Sequence, residues 1–526
     1  MNSARLFILL LLASPLLAQT QQSASDILLA KGVDLLRQQQ FAAALPVLEQ
    51  AERDHPAVPE IENLLGITTT QLGQISIADA HYRKAIALNA NLPSPHKNLG
   101  FNQLGEKDYP AAERQLKDAL ALDPSDPFTH YYLAILYLAT LQDAQAVDQF
   151  PLSRQLLAND PENEFLMARA CLNTGHTPEA LNLIQSLAAH SHLTPQHNYE
   201  LAVLLSAHHL YPEAVQRFEY AVTANPHSWA AQYDLAIAQL NASHPGKAIL
   251  ILQPLAQQQP DNPAILSFLG SAYESANQLP QALDAYRNAV RADPQNSDRY
   301  LDYTRLLMDL DRVDEASKVI ENGIQQQGVG APQDPYALDI RLGVLREKQA
   351  RYDDARTAFN QAIALHPELV MGYVAVAQSY MQQGSDGQAL IPLLKARAAL
   401  AQDATLEYYV GLVSLRLGHV PQAEAALTNS IRLRPNVVES HYQLGKLYLQ
   451  TNRVAQAQSE FERVLTLAPA NSNAHYQLSK VYARLGETRK ADQMAEETRR
   501  LMQSQREAAL SRQKSRLTSF KAPPPS

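Results

Sequence analysis

Histidine side chains are concentrated in one short stretch of this 526-residue chain. Six of the sixteen histidines are found there: His176, His190, His192, His197, His208 and His209. The pair His190-x-His192 offers the imidazole ligands that transition metals prefer, and His197 is close enough in sequence to complete a site. No cysteine or carboxylate at zinc-binding spacing joins them. We therefore predict no metal site in this stretch.

Motifs for catalysis are missing from the sequence. No Gly-x-Ser-x-Gly nucleophile motif, His-Glu-x-x-His zinc motif or glycine-rich dinucleotide fingerprint occurs. Gly328-x-Gly330 is not a phosphate loop, because no Gly-Lys-Ser/Thr follows it. The single cysteine, Cys171, is predicted to be a small buried apolar side chain. The sequence thus predicts a protein that is not an enzyme and has no cofactor.

Alanine recurs at one place in fourteen successive segments. The interval between one alanine and the next is constant, except for a single longer step from Ala316 to Ala355. The series is Ala44, Ala78, Ala112, Ala146, Ala180, Ala214, Ala248, Ala282, Ala316, Ala355, Ala389, Ala423, Ala457 and Ala491. A fixed period of about 20–50 residues is typical of a stack of supersecondary units that bury their apolar faces against each other.

Each segment has the pattern of two antiparallel helices. If the recurring alanine is position 20 of its repeat, position 8 is always a small residue. Positions 4, 7, 8 and 11 form one helical stripe, and positions 20, 24 and 27 form a second. Glycines such as Gly105 and Gly175 are predicted to end the first helix in a left-handed conformation, and the frequent proline at position 32 to stop the second.

These residues resemble the tetratricopeptide repeat (TPR) family, whose repeat reads Trp-x2-Leu-Gly-x2-Tyr, then Ala-x3-Phe-x2-Ala, then Pro. The match runs from residue 25 to about residue 505, and Leu269 and Gly270 show it in the eighth repeat. Histidine often stands in place of the tryptophan, as at His130 and His441. The resemblance implies an all-α TPR solenoid, a right-handed superhelix of about 14 helical hairpins.

The N-terminus has the pattern of a secretory signal peptide over residues 1–18. Arg5 precedes an apolar run from Leu6 to Leu12, and the small residue Ala18 comes before a polar stretch. The run is shorter than the roughly 18 residues that a membrane-spanning helix needs. We therefore expect an exported protein, periplasmic or secreted, with no transmembrane span in the mature chain.

The predicted organisation follows from the period and its one slip. Repeats 1–9 occupy residues 25–330, an insertion or hinge occupies 331–335, and repeats 10–14 with a capping helix occupy 336–505. The extra residues and glycines around the slip suggest a hinge, and a passive surface insertion is the alternative. A basic tail with a proline-rich end forms residues 506–526.

Charge is distributed unevenly along the chain. The formal net charge is −9, although the stretch from Arg499 to Ser526 contains seven Lys or Arg and one Glu. The acidic body argues against nucleic acid as a partner. For the tail, we favour a solvated capping helix with a disordered end, and the alternative is contact with anionic lipid or an acidic partner.

In the TPR family the first helix of each hairpin lines a concave groove, with positions 2, 5, 9 and 12 pointing inward. Position 5 is tyrosine in six repeats: Tyr131, Tyr199, Tyr233, Tyr408, Tyr442 and Tyr476. Lys446 and Lys480 lie four residues after Tyr442 and Tyr476, and Arg484 lies one turn further. We predict that these nine residues bind a ligand in the groove, the rings burying apolar area and the cations capturing a carboxylate. For the tyrosines, simple packing between neighbouring helices is the alternative.

The sequence therefore predicts an exported scaffold that binds a protein or peptide partner in its groove. A structural component of an envelope or exopolysaccharide export assembly, with the groove facing a glycan or another protein, is the alternative. A glycan needs aromatic stacking platforms, whereas a peptide needs paired donors for its backbone. Six tyrosines suit either ligand.

Overall fold

The computed structural model describes residues 24–189, 193–326 and 335–519, which form 28 α-helices and no strands. The predicted all-α fold is confirmed for these residues. The chain divides into two compact units, Met1–His227 and Ser228–Ser526. Within each unit the two helices of every hairpin pack against each other, and most second helices also pack against the first helix of the next hairpin. This is the arrangement of an α-solenoid.

Six hairpins make up the first unit. Its helices are α1 (Ala24–Arg37), α2 (Phe41–Asp54), α3 (Pro59–Gln71), α4 (Ile75–Leu88), α5 (Pro93–Gly105), α6 (Tyr109–Leu122), α7 (Pro127–Ala139), α8 (Asp143–Leu157), α9 (Pro161–Asn173), α10 (Thr177–Ala189), α11 (Pro195–Ala207) and α12 (Tyr211–Ala224).

Eight hairpins make up the second unit. Its helices are α13 (Trp229–Asn241), α14 (Pro245–Gln258), α15 (Pro263–Ser275), α16 (Leu279–Ala292), α17 (Ser297–Asp309), α18 (Val313–Gln326), α19 (Tyr336–Lys348), α20 (Tyr352–Leu365), α21 (Val370–Gln382), α22 (Asp386–Ala399), α23 (Ala404–Arg416), α24 (Val420–Leu433), α25 (Val438–Gln450), α26 (Val454–Leu467), α27 (Ser472–Arg484) and α28 (Thr488–Ser519).

The turn inside each hairpin depends on one left-handed residue at position 15. Gly175, Gly384 and Gly418 have positive φ there, and in nine other hairpins a residue such as Lys107 takes the same conformation without being glycine. The prediction for Gly105 was wrong. It is the last residue of α5, at position 13, and the left-handed residue of that turn is Lys107.

The alanines of the series are buried within their hairpins. Thirteen of these alanines have no exposed surface, and only Ala491, in the last hairpin, reaches 9%. Position 8 is equally restricted, because a Cβ added to Gly66 would lie 2.4 Å from the Tyr82 ring, and one added to Gly343 would lie 2.2 Å from the Phe359 ring. The predicted close approach of the two helices is confirmed.

Histidine at position 4 joins successive hairpins. The Nε2 of His130 lies 3.0 Å from the Pro124 carbonyl oxygen of the preceding repeat, and its Nδ1 lies 2.7 Å from Oε1 of Gln149. His441 repeats this arrangement with Pro435 and Glu460, at 3.0 and 2.6 Å. These buried imidazoles therefore occupy the tryptophan position of the family with hydrogen bonds at both ring nitrogens.

Several predicted features lie outside the described residues. They are the signal peptide at 1–18, His190 and His192, most of the insertion, and the proline-rich end of the tail. None of the described helices combines the length and the apolar character that crossing a bilayer would require. Cys171 is fully buried, as predicted, and burial raises the pKa of its thiol to about 12.

Candidate binding surface on the first helices

Successive first helices of the second unit contact each other through side chains at positions 3 to 13. We call this the first-helix face, and it consists of the side chains of α13, α15, α17, α19, α21, α23, α25 and α27 that reach the next first helix. The Tyr233 and Phe268 rings, 5.5 Å apart, join α13 to α15. Gln378 Nε2 donates to Tyr409 at 2.5 Å and joins α21 to α23. The regular repeat places each such pair on neighbouring helices.

Five of the predicted ligand-binding residues lie on three successive first helices, α23, α25 and α27. We call Tyr408, Tyr442, Lys446, Tyr476 and Lys480 the C-terminal surface. The Lys446 ammonium lies 5.9 Å from the centre of the Tyr442 ring, and the Lys480 ammonium lies 4.1 Å from the Tyr476 ring. These are cation–π distances, so each lysine covers the tyrosine one turn before it.

The two lysines of the C-terminal surface differ from other cations on first helices in their partners. Neither ammonium has a carboxylate partner among the residues that the structure describes. Elsewhere on first helices, Lys97 is paired with Asp126 at 3.0 Å and Arg416 with Asp386 at 3.0 Å. A ligand carboxylate reaching Lys446 and Lys480 would therefore not have to break an existing ion pair.

The tyrosines of this surface differ in exposure. Burial, reinforced by Tyr409 and Glu439, raises the pKa of Tyr408 to about 12. Tyr442 is half-buried and accepts a long hydrogen bond, 3.5 Å, from Gln477 Nε2. Tyr476 is 46% exposed, so its ring is the one most available to a ligand.

Arg484 does not join the lysines through a shared contact. Its Nη1 donates to the Leu449 carbonyl oxygen at 3.0 Å, and this bond joins α27 to α25. Arg416 makes the equivalent bond to the Met381 carbonyl oxygen, at 3.2 Å. A basic residue at position 13 therefore satisfies a carbonyl near the end of the previous first helix.

The remaining predicted tyrosines have other surroundings. Tyr131 is 8% exposed and donates to Asp160 Oδ2 at 2.7 Å, while burial and that carboxylate raise its pKa well above the usual range. Tyr199 packs edge-on against Phe218, 5.7 Å away, inside its own hairpin. Tyr408, Tyr442 and Tyr476 thus lie on three successive first helices of the second unit, whereas Tyr131 and Tyr199 lie in separate hairpins of the first unit.

Residues that sequence reasoning missed surround Tyr233. Trp229 lies 6.2 Å from Tyr233 and is 48% exposed, and Phe268 closes the cluster on α15. Arg299 Nη1 donates to Ser267 Oγ at 3.1 Å. Trp229, Arg299 and Phe268 lie at positions 1, 3 and 6 of their repeats, next to the positions that define the predicted groove. The spacing of about one repeat between these aromatic and charged side chains was the signal that could have found them.

One group of side chains in the first unit has the composition of a metal site. Ligand atoms of Glu52, Glu62 and His81 lie within 4.8 Å of one another, and Glu62 is 1% exposed. However, the Lys84 ammonium lies 2.5 Å from an oxygen of each glutamate. Hydrogen bonds to Glu52 and Glu62 raise the pKa of Lys84, so this ammonium supplies the positive charge that a metal would bring.

Sequence models of the tetratricopeptide repeat match well over half of the chain. The matched segments are residues 29–93, 205–272, 273–332, 340–404, 411–472 and 442–492. The chain belongs to the tetratricopeptide repeat family. The family and the repeat fold predicted from the sequence are both confirmed.

This TPR protein is also similar to individual proteins. It is 24% identical over 456 residues to Cellulose synthase operon protein C of Pseudomonas fluorescens (strain SBW25), in a match that covers 80% of this chain. The chain spans 35% of the length of that relative.

Two solved structures show the same kind of similarity at low identity. Yeast Tom70 is 15% identical, with 88% of this chain and 96% of that chain covered and a TM-score of 0.41. A thermophilic TPR protein of Thermus thermophilus, TTC0263, is 22% identical, with 36% and 100% covered and a TM-score of 0.27.

Proposed function

We propose that this chain is an exported TPR scaffold that binds a protein or peptide partner on its first-helix face. The observation that carries the proposal is the C-terminal surface, where Lys446 and Lys480 lie beside tyrosine rings and, in the described part of the chain, have no carboxylate partners. Binding there needs little ordering of the scaffold, because each side chain is positioned by a packed helix.

The charge and the rings together select the chemistry of the partner. Two uncompensated ammonium groups favour a segment with carboxylates, through charge-assisted hydrogen bonds. The exposed ring of Tyr476 offers apolar area and a hydroxyl to the same segment. An extended acidic peptide meets both requirements.

The experiment compares the partners captured by wild type and by a variant of this surface. Crosslinking and pull-down from the native cell envelope would use Tyr442→Ala/Lys446→Ala/Tyr476→Ala/Lys480→Ala. The matched control is Lys318→Ala/Lys395→Ala, which removes two exposed lysines from second helices of the same unit. We expect the surface variant, and not the control, to lose the partner, and an unchanged partner list would reject this surface.

A second candidate function is a structural role in an envelope or exopolysaccharide export assembly. The similarity to Cellulose synthase operon protein C supports it, over 80% of this chain. In that role the chain would be periplasmic, and its partners would be envelope proteins or a glycan. Deleting the gene should then lower polysaccharide export while synthesis of the polymer inside the cell continues. Unchanged export would remove this candidate.

Export itself has a direct test. If residues 1–18 are a signal peptide, mass spectrometry of the protein recovered from the periplasm or medium should find a mature N-terminus after Ala18 or close to it. Recovery of the full-length chain from the cytoplasm alone would contradict the export proposal.

A further inference from the structure

An aromatic cluster with a large exposed ring lies on the first helices α13 and α15. Trp229 is the only tryptophan of the chain and is 48% exposed. Its ring centre lies 6.2 Å from that of Tyr233, and Tyr233 meets Phe268 edge-on at 5.5 Å. A tryptophan that packs beside other aromatic rings and has half of its surface in solvent is typical of a binding surface rather than of a core.

Planar polar groups border these rings on the next first helix, α17. Arg299 is close enough to Tyr233 for its charge to act on the pKa of that hydroxyl, although burial, which raises this pKa, has the larger effect. The Nε of Arg299 is buried and has no acceptor among the described residues. One turn further, the Asp302 carboxylate makes no hydrogen bond or ion pair within the same part of the chain. The helix next to the rings thus carries a guanidinium group with an unsatisfied Nε and a carboxylate without a bonding partner among the described residues.

The charged groups around the cluster leave no excess of positive charge, because Asp234 acts on Tyr233 and Asp298 acts on Asp302. Arg305 binds Glu274 through two hydrogen bonds of 2.6 Å, so this pair has no net charge to offer. Burial acts to raise the pKa of Glu274, but the bonds from Arg305 outweigh it and the pKa lies below its usual range. Arg299 and Asp302 lie three residues apart on α17 and offset each other. These groups therefore do not attract an anionic ligand.

We propose that Trp229, Tyr233, Phe268, Arg299 and Asp302 form a binding surface for a neutral polysaccharide chain, and we call it the central surface. A sugar ring has an apolar C–H face that packs on an aromatic ring, and its hydroxyl groups both donate and accept hydrogen bonds. Asp302 accepts from such hydroxyls and Arg299 donates to them. This inference goes beyond the proposed peptide-binding role and does not depend on it.

An acidic peptide fits the central surface less well than a glycan does. Arg299 and Arg305 each have a carboxylate close to them, and Asp302 would repel an approaching carboxylate. A neutral, hydroxyl-rich polymer meets no such repulsion and satisfies both available polar groups.

The single tryptophan makes the test direct, because the intrinsic fluorescence of the full chain at tryptophan wavelengths comes from Trp229 alone. The probes are cellohexaose and maltohexaose, with a hexamer of a uronic acid and a poly-glutamate peptide as charged comparisons. We expect at least one neutral hexasaccharide to give a saturable change in fluorescence. The charged probes should give none at the same concentration.

Two variants retain Trp229, the fluorescent reporter, and each changes one side chain of the central surface. Tyr233→Ala and Asp302→Asn should each weaken the binding of that hexasaccharide by about tenfold. The control Tyr220→Ala removes a 56% exposed tyrosine from the second helix α12 and should leave binding unchanged. Circular dichroism should show equal helix content in all three.

Three results would overturn the proposal. They are the absence of a saturable change in Trp229 fluorescence with either neutral hexasaccharide up to millimolar concentration, equal affinity in wild type and in both variants, and a change in Trp229 fluorescence that poly-glutamate produces at a lower concentration than the hexasaccharides do. Loss of glycan binding would leave capture of a protein partner at Lys446 and Lys480 untouched, so failure of this inference is distinguishable from failure of the proposed function.

Discussion

The central surface and the C-terminal surface lie on first helices of the same unit and differ in charge. Both regions combine aromatic rings with a cation at position 9. Beside the central surface this cation is Arg305, which donates a hydrogen bond of 2.6 Å to Glu274. Lys446 and Lys480 have no such partner among the described residues. One repeated backbone thus presents two different chemistries. Position 12 of the preceding first helix is Glu274 for Arg305, whereas it is Leu415 for Lys446 and Leu449 for Lys480.

Reversing the charge of the C-terminal surface should have the largest effect. Lys446→Glu/Lys480→Glu is expected to weaken binding of an acidic peptide by about 100-fold, since two attractive contacts become repulsive. Fluorescence anisotropy of a labelled poly-glutamate peptide measures this. The control Lys318→Glu/Lys395→Glu changes the total charge equally at second-helix sites. Equal loss in both variants would show that only net charge matters.

The two regions should respond alike when the equivalent helix contact inside a hairpin of each is disturbed. A Cβ added to Gly270 would lie 2.8 Å from the Tyr286 ring, and one added to Gly445 would lie 2.8 Å from the Phe461 ring. Overpacking in Gly270→Ala and in Gly445→Ala should outweigh the gain in helix propensity and lower the stability of each hairpin by about 1–2 kcal/mol.

Hydrogen exchange measures that stability hairpin by hairpin. Similar losses in the two variants would confirm that the regions differ in surface and not in packing. A large loss in one region alone would contradict this.

Raising the salt concentration should weaken ligand binding at the C-terminal surface but not at the central surface. The effect should be smaller than that of charge reversal. Raising ionic strength from about 0.05 M to about 0.5 M shortens the screening length several-fold, so peptide binding at Lys446 and Lys480 should weaken by about tenfold. Hexasaccharide binding at Trp229 should stay constant, because no net charge is involved. A parallel loss for both ligands would mean that the central surface also binds through charge.

The smallest expected difference is in pH dependence. Burial acts to lower the pKa of His441, but the Glu460 carboxylate and the Pro435 carbonyl outweigh it, and the pKa is raised. A raised pKa means that the protonated imidazole stabilises the folded state. This contribution is fully present below the ordinary histidine pKa of about 6.5 and is lost as pH rises through the raised pKa.

The central region has no histidine at this position, since position 4 of α13, α15 and α17 is Gln232, Leu266 and Tyr300. Protection of α25 and α26 from hydrogen exchange, corrected for intrinsic rates, should therefore fall with rising pH while that of α15 and α16 does not. His441→Gln should abolish the dependence. If it persists in the variant, another group is responsible.

The sequence predicts the packing of each hairpin because that packing is local. Gly270 and Ala282 belong to the same repeat, and the close approach of their two helices follows from helical spacing alone. The left-handed residue at Lys107 was missed, because the turn geometry overrides the preference for glycine.

Side-chain pairing across hairpins was harder to predict. The bond from Arg484 to the Leu449 carbonyl oxygen and the one from Tyr131 to Asp160 join residues 35 and 29 positions apart. Their rotamers depend on the neighbouring helix, which the repeat pattern places but does not describe. The exposure of the Trp229 side chain also depends on the neighbouring helices, so the sequence did not predict it. For this reason the repeat pattern predicts the family but not the contacts of the site residues.

Hydroxyl-radical footprinting of the chain with its captured partner tests most directly whether the first-helix face binds it. Tyr476, 46% exposed on α27, and Tyr220, 56% exposed on α12, start from similar accessibility. We predict that the partner protects Tyr476 from oxidation and leaves Tyr220 unchanged. Protection of Tyr220 with Tyr476 still fully oxidised would contradict the account.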